Sequence, residues 1–153
     1  MTTEVVITDK ILLLKKIEML EGLTVSELAA VGSVAEEVQF QSGEVVIKRG
    51  EMGETMYLMI SGEVSVHIGD ANDNEIEVDR IKAGDYFGEM ALFEDVPLSA
   101  TILTETESRL LVLHKQEFNE IVREYPQIAL TICKVLSSRI RTLHKKIKQG
   151  SQG

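Results

Sequence analysis

The sequence has almost no cysteine: Cys133 is the only one in 153 residues. A single thiol cannot form a disulfide within the chain, which excludes the class of small secreted domains that disulfides stabilise. Cys133 falls on the apolar face of a predicted helix and has no histidine near it in sequence. We therefore expect a small core residue rather than a nucleophile, in a protein of the cytoplasm.

Long apolar runs are also missing. No run approaches the roughly 20 residues that a helix needs to cross a bilayer, so we expect no membrane contact by this chain. Residues 1–4, Met-Thr-Thr-Glu, have neither a basic start nor a small-residue cleavage site. They therefore do not resemble a secretory signal peptide.

Positive charge is scarce. Lysine and arginine number 16 against 25 acidic residues, which gives a net charge of −9. Such a charge repels a phosphate backbone, so no nucleic-acid partner is expected. Five basic residues nevertheless crowd the C-terminal end: Arg139, Arg141, Lys145, Lys146 and Lys148. We interpret them as charge that complements a helix C-terminus, with a nucleic-acid contact as the alternative.

The chain does contain enough apolar residues, 44% of the total, to form the core of one globular domain. Three segments differ in pattern: a helical segment at 1–33, a β segment at 34–114 and helices at 115–148. In the first segment, apolar residues at helical spacing predict a helix from Asp9 to about Glu21. Thr24 followed by Glu27 predicts a capping box that opens a second helix, ending near Gly32.

In the β segment the apolar residues alternate with a period of two, which is typical of half-buried strands. The alternating sets are Met56, Leu58 and Ile60; Val64, Val66 and Ile68; Ile76 and Val78; and Leu110 and Val112. Turns rich in glycine separate these sets. The spacing predicts a mainly β fold with flanking helices, an eight-stranded antiparallel β-barrel or jelly roll.

In the third segment Phe118, Ile121 and Val122 share one helix face, and a longer helix runs to about Lys148, followed by a frayed tail at 149–153. Apolar residues on the longer helix recur at spacings of three and four: Cys133, Leu136, Ile140, Leu143 and Ile147. This stripe either packs on the barrel or forms the seam of a homodimer with heptad spacing. The sequence leaves both alternatives open.

The most informative segment is 84–101, which reads GDYFGEMALFEDVPLSAT. A glycine before one short helical turn leaves several backbone N–H groups without partners, and such groups bind anions. Glu89, at the first position of that turn, suits a pair of hydroxyls better than a phosphate. A glycine before a turn is common, so this feature alone is weak.

The whole segment closely resembles the phosphate-binding cassette of the cyclic-nucleotide-binding domain family, as in the regulatory subunits of protein kinase A. The family pattern is Phe-Gly-Glu-Leu-Ala-Leu, four residues, then Pro-Arg-Ala/Ser-Ala-Thr, and residues 87–101 match it without a gap. Residues 50–64 also resemble the family's pattern of Gly, Tyr and Gly-Glu-Val. The resemblance implies a regulatory or sensor domain whose candidate ligand is cyclic AMP or cyclic GMP, with no other cofactor.

The resemblance also implies roles for the cassette residues. Gly88 would let the backbone approach the ligand, and Glu89 would bind the ribose 2′-hydroxyl. The amides of Met90 and Ala91 would face the cyclic phosphate, and Ser99 could add a hydroxyl. Alternatively, Gly88 serves only a tight turn and Glu89 only caps the short helix.

Leu98 departs from the family pattern, because it stands where the family has its phosphate-binding arginine. A guanidinium makes charge-assisted, often bidentate bonds to phosphate that leucine cannot make. We therefore expect weak or absent binding of cyclic AMP and cyclic GMP. The alternatives are a functional site that uses backbone amides and a substitute cation, for which Arg80, Lys82 and Arg109 are candidates, or a structural module for protein interactions.

No group of residues has the spacing of a catalytic or metal site. His67, His114 and His144 show no metal-ligand spacing with one another or with Cys133, so each is expected to be structural or exposed. The acidic run from Asp70 to Glu77 has no calcium signature and predicts a solvated hairpin. We therefore expect a domain that is not an enzyme and that belongs to a larger regulated protein.

Overall fold

The computed structural model describes residues 7–151. The expectation about residues 1–4 lies outside that part of the chain. Four α-helices are α1 (Ile7–Leu14), α2 (Val25–Val34), α3 (Lys115–Glu124) and α4 (Gln127–Ser151). Eight strands lie between α2 and α3: β1 (Glu36–Phe40), β2 (Val45–Ile47), β3 (Thr55–Ser61), β4 (Glu63–Gly69), β5 (Glu75–Lys82), β6 (Tyr86–Phe87), β7 (Thr101–Thr104) and β8 (Ser108–His114). None of these helices is both long and apolar enough to cross a membrane.

The strands form two antiparallel four-stranded sheets that lie face to face. Their orders are β1-β8-β3-β6 and β2-β7-β4-β5. The prediction of a mainly β, eight-stranded jelly roll with flanking helices is confirmed, but its closure into a barrel is wrong. The terminal strands of each sheet are not hydrogen-bonded to those of the other, so the fold is a sandwich.

The first sheet is covered on both faces, so the molecule has three layers. Along β8, Leu111 and Leu113 pack among the helices, whereas Leu110 and Val112 pack between the sheets. All four side chains are buried. Alternation along a strand sends neighbouring side chains to opposite faces, and here both faces are apolar.

The second sheet is less protected. On its edge strand β5, Ile76 and Val78 are exposed, which corrects their prediction as half-buried. Only Ile81 of this strand packs against the cluster between the sheets. The acidic turn from Asp70 to Asn74 connects β4 to β5 at the surface, as the solvated-hairpin prediction expects.

The N-terminal helices differ from the prediction in one respect. The helix predicted from Asp9 to Glu21 ends at Leu14, and a short 3₁₀ helix follows at Glu18–Leu20. Ile17, Met19 and Leu20 are all buried. These three cannot lie on one face of a continuous α-helix, so the chain turns to bury them. The capping box of α2 is confirmed: Thr24 accepts from the Glu27 amide at 3.1 Å and Glu27 accepts from the Thr24 amide at 2.9 Å.

The last helix also differs from the prediction in two respects. It remains helical to Ser151, so residues 149–151 are not a frayed tail. Cys133 is exposed rather than buried, because the core-facing side of α4 carries Ile128 and Ile132 instead. Ile140, Leu143 and Ile147 are 55%, 54% and 68% exposed. Packing of the whole stripe on the sandwich is therefore wrong.

Candidate ligand-binding site

The cassette is built around Gly88, whose φ of +79° is favourable only for glycine. It connects β6 to a 3₁₀ turn at Glu89–Leu92. A Cβ atom on Gly88 would lie 2.8 Å from the Thr55 carbonyl oxygen. The turn and the close approach to β3 thus account for glycine here, and its contact with a ligand stays a prediction.

The 3₁₀ turn distributes its side chains between core and surface. Ala91 is buried, and its amide donates to the Gly88 carbonyl at 3.1 Å. Met90 is exposed. Glu89 is half-buried, and among residues 7–151 its carboxylate makes no hydrogen bond or ion pair. Its two oxygens are therefore available to accept hydrogen bonds from a ligand.

Backbone hydrogen bonds fix Leu98 against the loop that precedes β3. The Leu98 amide donates to the Glu51 carbonyl at 2.8 Å, and the Gly50 amide donates to the Leu98 carbonyl at 2.9 Å. Because the residue is held on both sides, the direction of its side chain is set by the backbone. Leu98 is half-buried and packs against the cluster between the sheets, whereas Ser99 is exposed.

A small cavity of about 180 Å³ lies at this contact. It is lined by Val46, Ile47, Glu51, Met52, Gly53, Glu54, Thr55, Tyr57 and Leu98. Leu98 is the one predicted site residue in this lining, and Ala91 lies directly behind Gly53. Sequence reasoning noted the glycines and tyrosine of residues 50–64 as a family pattern. It missed the two glutamates, because nothing in the linear spacing places their side chains opposite position 98.

The charges around the cavity are acidic. Glu51 and Glu54 belong to its lining, and none of its lining residues is basic. Tyr57 stacks on Phe87 with ring centroids 5.1 Å apart. Burial raises the pKa of the Tyr57 phenol above its ordinary value, although a hydrogen bond with Thr55 acts in the opposite direction. The phenol is therefore neutral at physiological pH and can donate a hydrogen bond.

The three candidate substitute cations lie elsewhere. Arg109 binds Glu37, and this hydrogen bond raises the pKa of its guanidinium. Arg80 binds Glu77 at 3.0 Å and lies within 4 Å of Glu63 and Glu105. Lys82 does not line the cavity. All three belong to strands, and none of them lines the cavity at Leu98.

The cassette is also connected to the C-terminal helices. The Lys115 ammonium group binds the Asp95 carboxylate, and its backbone amide donates to the Glu54 carbonyl at 2.8 Å. The rings of Phe93 and Phe118, the latter on α3, pack perpendicular to each other at a centroid distance of 5.9 Å. These contacts join the segment after the 3₁₀ turn to the first turn of α3.

Comparison with known proteins agrees with this architecture. A regulatory subunit of cAMP-dependent protein kinase from Colletotrichum orbiculare is 31% identical over 109 residues, covering 71% of this chain and 27% of that protein. The chain therefore spans only about a quarter of that relative's length.

Two solved structures show the same fold. The N-terminal domain of a transcriptional regulator from Streptomyces coelicolor superposes with a TM-score of 0.80 at 22% identity, covering 87% of this chain and 95% of that one. The regulatory domain of protein kinase A from Toxoplasma gondii with cAMP gives a TM-score of 0.71 at 23% identity, with coverages of 89% and 50%. The family model of the cyclic nucleotide-binding domain matches residues 37–125, and the chain belongs to that family.

Proposed function

We propose that this chain is a regulatory domain of a larger protein, without catalytic function, that binds cyclic AMP and cyclic GMP weakly or not at all. The observation that carries the proposal is Leu98. It stands at the cassette's arginine position, its backbone is fixed, and its side chain forms part of the cavity wall. A leucine there supplies no charge to a cyclic phosphate.

The cost of this substitution is large enough to decide the affinity. Removing one partner of a buried charge pair typically costs about 2–5 kcal/mol. At about 1.4 kcal/mol per tenfold change, the affinity falls roughly 30-fold to several thousandfold. Glu51 and Glu54 in the lining add repulsion towards a phosphate. A site of about 1 µM thereby weakens to between about 30 µM and several millimolar, and the acidic lining shifts it towards the weaker end.

Calorimetric titration of the full chain with cyclic AMP and cyclic GMP tests the proposal. We expect dissociation constants weaker than about 100 µM for both. A dissociation constant in the low micromolar range would contradict the proposal, because it would require a cation at the phosphate that Leu98 does not supply.

A second candidate function, a working cyclic-nucleotide sensor, is favoured by one observation. Glu89 keeps a half-buried carboxylate without a partner among residues 7–151, as a ribose-binding group requires. In that case the Met90 amide, and not the Ala91 amide that donates to the Gly88 carbonyl, holds the phosphate. The same titration separates the two functions, and a Glu89→Gln variant that weakens a measurable affinity would support the second.

For either function we propose that the C-terminal helices pass the regulatory signal on to the rest of the protein. The contacts Lys115–Asp95 and Phe93–Phe118 link the cassette to α3. The exposed residues Ile140, Leu143 and Ile147 offer α4 a surface for a second copy of the chain. We propose a homodimer through this helix, in the cytoplasm, within the larger protein.

A further inference from the structure

The outer face of the second sheet carries a cluster that the sequence spacing does not reveal. A ring nitrogen of His67 and carboxylate oxygens of Glu77 and Glu105 all lie within 4.8 Å of one another. The three residues come from β4, from β5 and from the position directly after β7. We propose that they bind one divalent transition-metal ion of the Zn²⁺ type.

Strand register brings the ligands together. His67 pairs directly with Glu77, because a bulge between Val66 and His67 shifts the register of β4 against β5 by one residue. Bulges of this kind redirect side chains and recur near functional sites. The Glu105 amide donates to the Glu63 carbonyl at 2.9 Å, which fixes Glu105 beside β4. The backbone positions of all three residues are therefore set by the sheet.

A buried hydroxyl orients the histidine. The Ser65 side chain is fully buried, and its Oγ lies 2.8 Å from His67 Nε2. A hydrogen bond from one ring nitrogen of a histidine to a fixed partner sets the tautomer and leaves the other nitrogen for a metal. Ser65 thus has the position of the outer hydrogen-bonding group that metal-binding histidines usually have.

Charge at the cluster favours a cation. Glu63, Glu77 and Glu105 surround a single guanidinium, that of Arg80, at 3.8, 3.0 and 3.9 Å. Three carboxylates against one cation leave two negative charges uncompensated. Arg80 is partly exposed and can turn towards Glu63, which frees the two carboxylates that face His67.

The ligand set selects the class of ion. One imidazole nitrogen with two carboxylate oxygens suits Zn²⁺ and similar first-row ions better than Ca²⁺, which prefers oxygen ligands only. Three protein ligands leave a further position for water. An ion held here would link β4, β5 and the end of β7, and would therefore stabilise the weakly covered edge of the second sheet.

The test is calorimetric titration of the full chain with ZnCl₂ at pH 7.5, in a Cys133→Ser background that removes the exposed thiol as a competing ligand. We expect one ion per chain and a rise in melting temperature on saturation.

Variants of the ligands test the site directly. His67→Ala, Glu77→Gln and Glu105→Gln should each weaken Zn²⁺ binding by at least about tenfold, and Ser65→Ala by about tenfold or more. His144→Ala, at an exposed position on α4, is the matched control and should bind as the parent does.

Two further variants make the test specific. Arg80→Gln removes the competing cation and should tighten Zn²⁺ binding, whereas nonspecific adsorption to acidic surface would change little. Co²⁺ bound at the site should give visible absorption bands, and these should disappear in Glu77→Gln. Glu77 is exposed, so this substitution leaves the core intact. No heat and no thermal shift at 1 mM Zn²⁺, or undiminished affinity in His67→Ala, would overturn the proposal.

Discussion

Leu98 lies in direct contact with Gly53: a Cβ atom added to Gly53 would lie 2.9 Å from Leu98 Cδ2. The same Cβ would lie 3.2 Å from Ala91 Cβ. Gly53 therefore lies between the side chain of Leu98 and Ala91 of the 3₁₀ turn, where there is no room for a larger residue. A side chain longer than leucine at position 98 would extend into the cavity that Leu98 lines.

The Leu98→Arg variant should gain binding of cyclic AMP. The guanidinium restores a charge partner for the phosphate, and the expected increase in affinity is roughly 30-fold or more. Calorimetry compares the variant with Leu98→Met, which keeps the approximate size without a charge and should bind no better than the parent. Failure of the arginine variant to bind at millimolar cyclic AMP would show that the cavity has lost more than its cation.

The Gly88→Ala variant should lose stability for two separable reasons. Its φ of +79° disfavours any L side chain by about 1–2 kcal/mol, and its Cβ would lie 2.8 Å from the Thr55 carbonyl oxygen. Gly84→Ala is the control, because Gly84 has φ +94° with open space around its Cβ position. Urea denaturation should show the larger loss for Gly88→Ala. Equal losses would mean that β3 moves aside without cost.

If α4 forms the homodimer contact, acidic substitutions on this helix should separate the two copies of the chain. Light scattering should show a dimer at about 100 µM protein, and Ile140→Glu combined with Leu143→Glu should give a folded monomer. Both residues are more than half exposed, so the melting temperature of the monomer should not fall through loss of core packing.

The control for that experiment is Ile132→Ala, which removes a core side chain of the same helix. It should cost about 2–5 kcal/mol of stability because the cavity it leaves is not refilled. A wild-type chain that is monomeric at about 100 µM would contradict the dimer.

We expect the folded protein to lose stability at alkaline pH, because Tyr57 is partly buried. Its pKa is raised above the ordinary value of 10.0 by burial, so the folded state holds the phenolic proton more tightly than the unfolded state. The stabilisation is complete below pH 10 and is lost as the pH rises through the folded-state pKa. Denaturant titrations above pH 10 should show a smaller decline for Tyr57→Phe. Tyr125→Phe, at an exposed position, should follow the parent protein.

The sequence predicted the strands and the short helical turn after Gly88 well, because both depend on local patterns. Alternation located β3 and β8, and the contiguous motif located the turn at Gly88. Alternation could not show that β8 is covered on both faces, nor that Ile76 is exposed, because burial depends on which elements pack against a strand.

The remaining errors arise from tertiary contacts. Spacing on α4 placed Cys133 on an apolar face, but only the first turns of that helix meet the core. Arg80 is close in sequence to the cassette and yet binds carboxylates across the sheet. The grouping of His67 with Glu77 and Glu105 depends on a bulge and on pairing with β7, which no linear spacing encodes.

Because α4 is long, a small tilt at its start would move its far end by a large distance. Twenty-five residues at a rise of 1.5 Å make a rod of about 37 Å. Among residues 127–150, the buried side chains Ile128 and Ile132 lie in the first two turns. Arg139 also pairs with Glu18 at 3.3 Å, so the helix is held over its first half and exposed beyond it. A tilt of about 10° about the N-terminal end of the helix, next to α3, would displace its far end by about 6 Å.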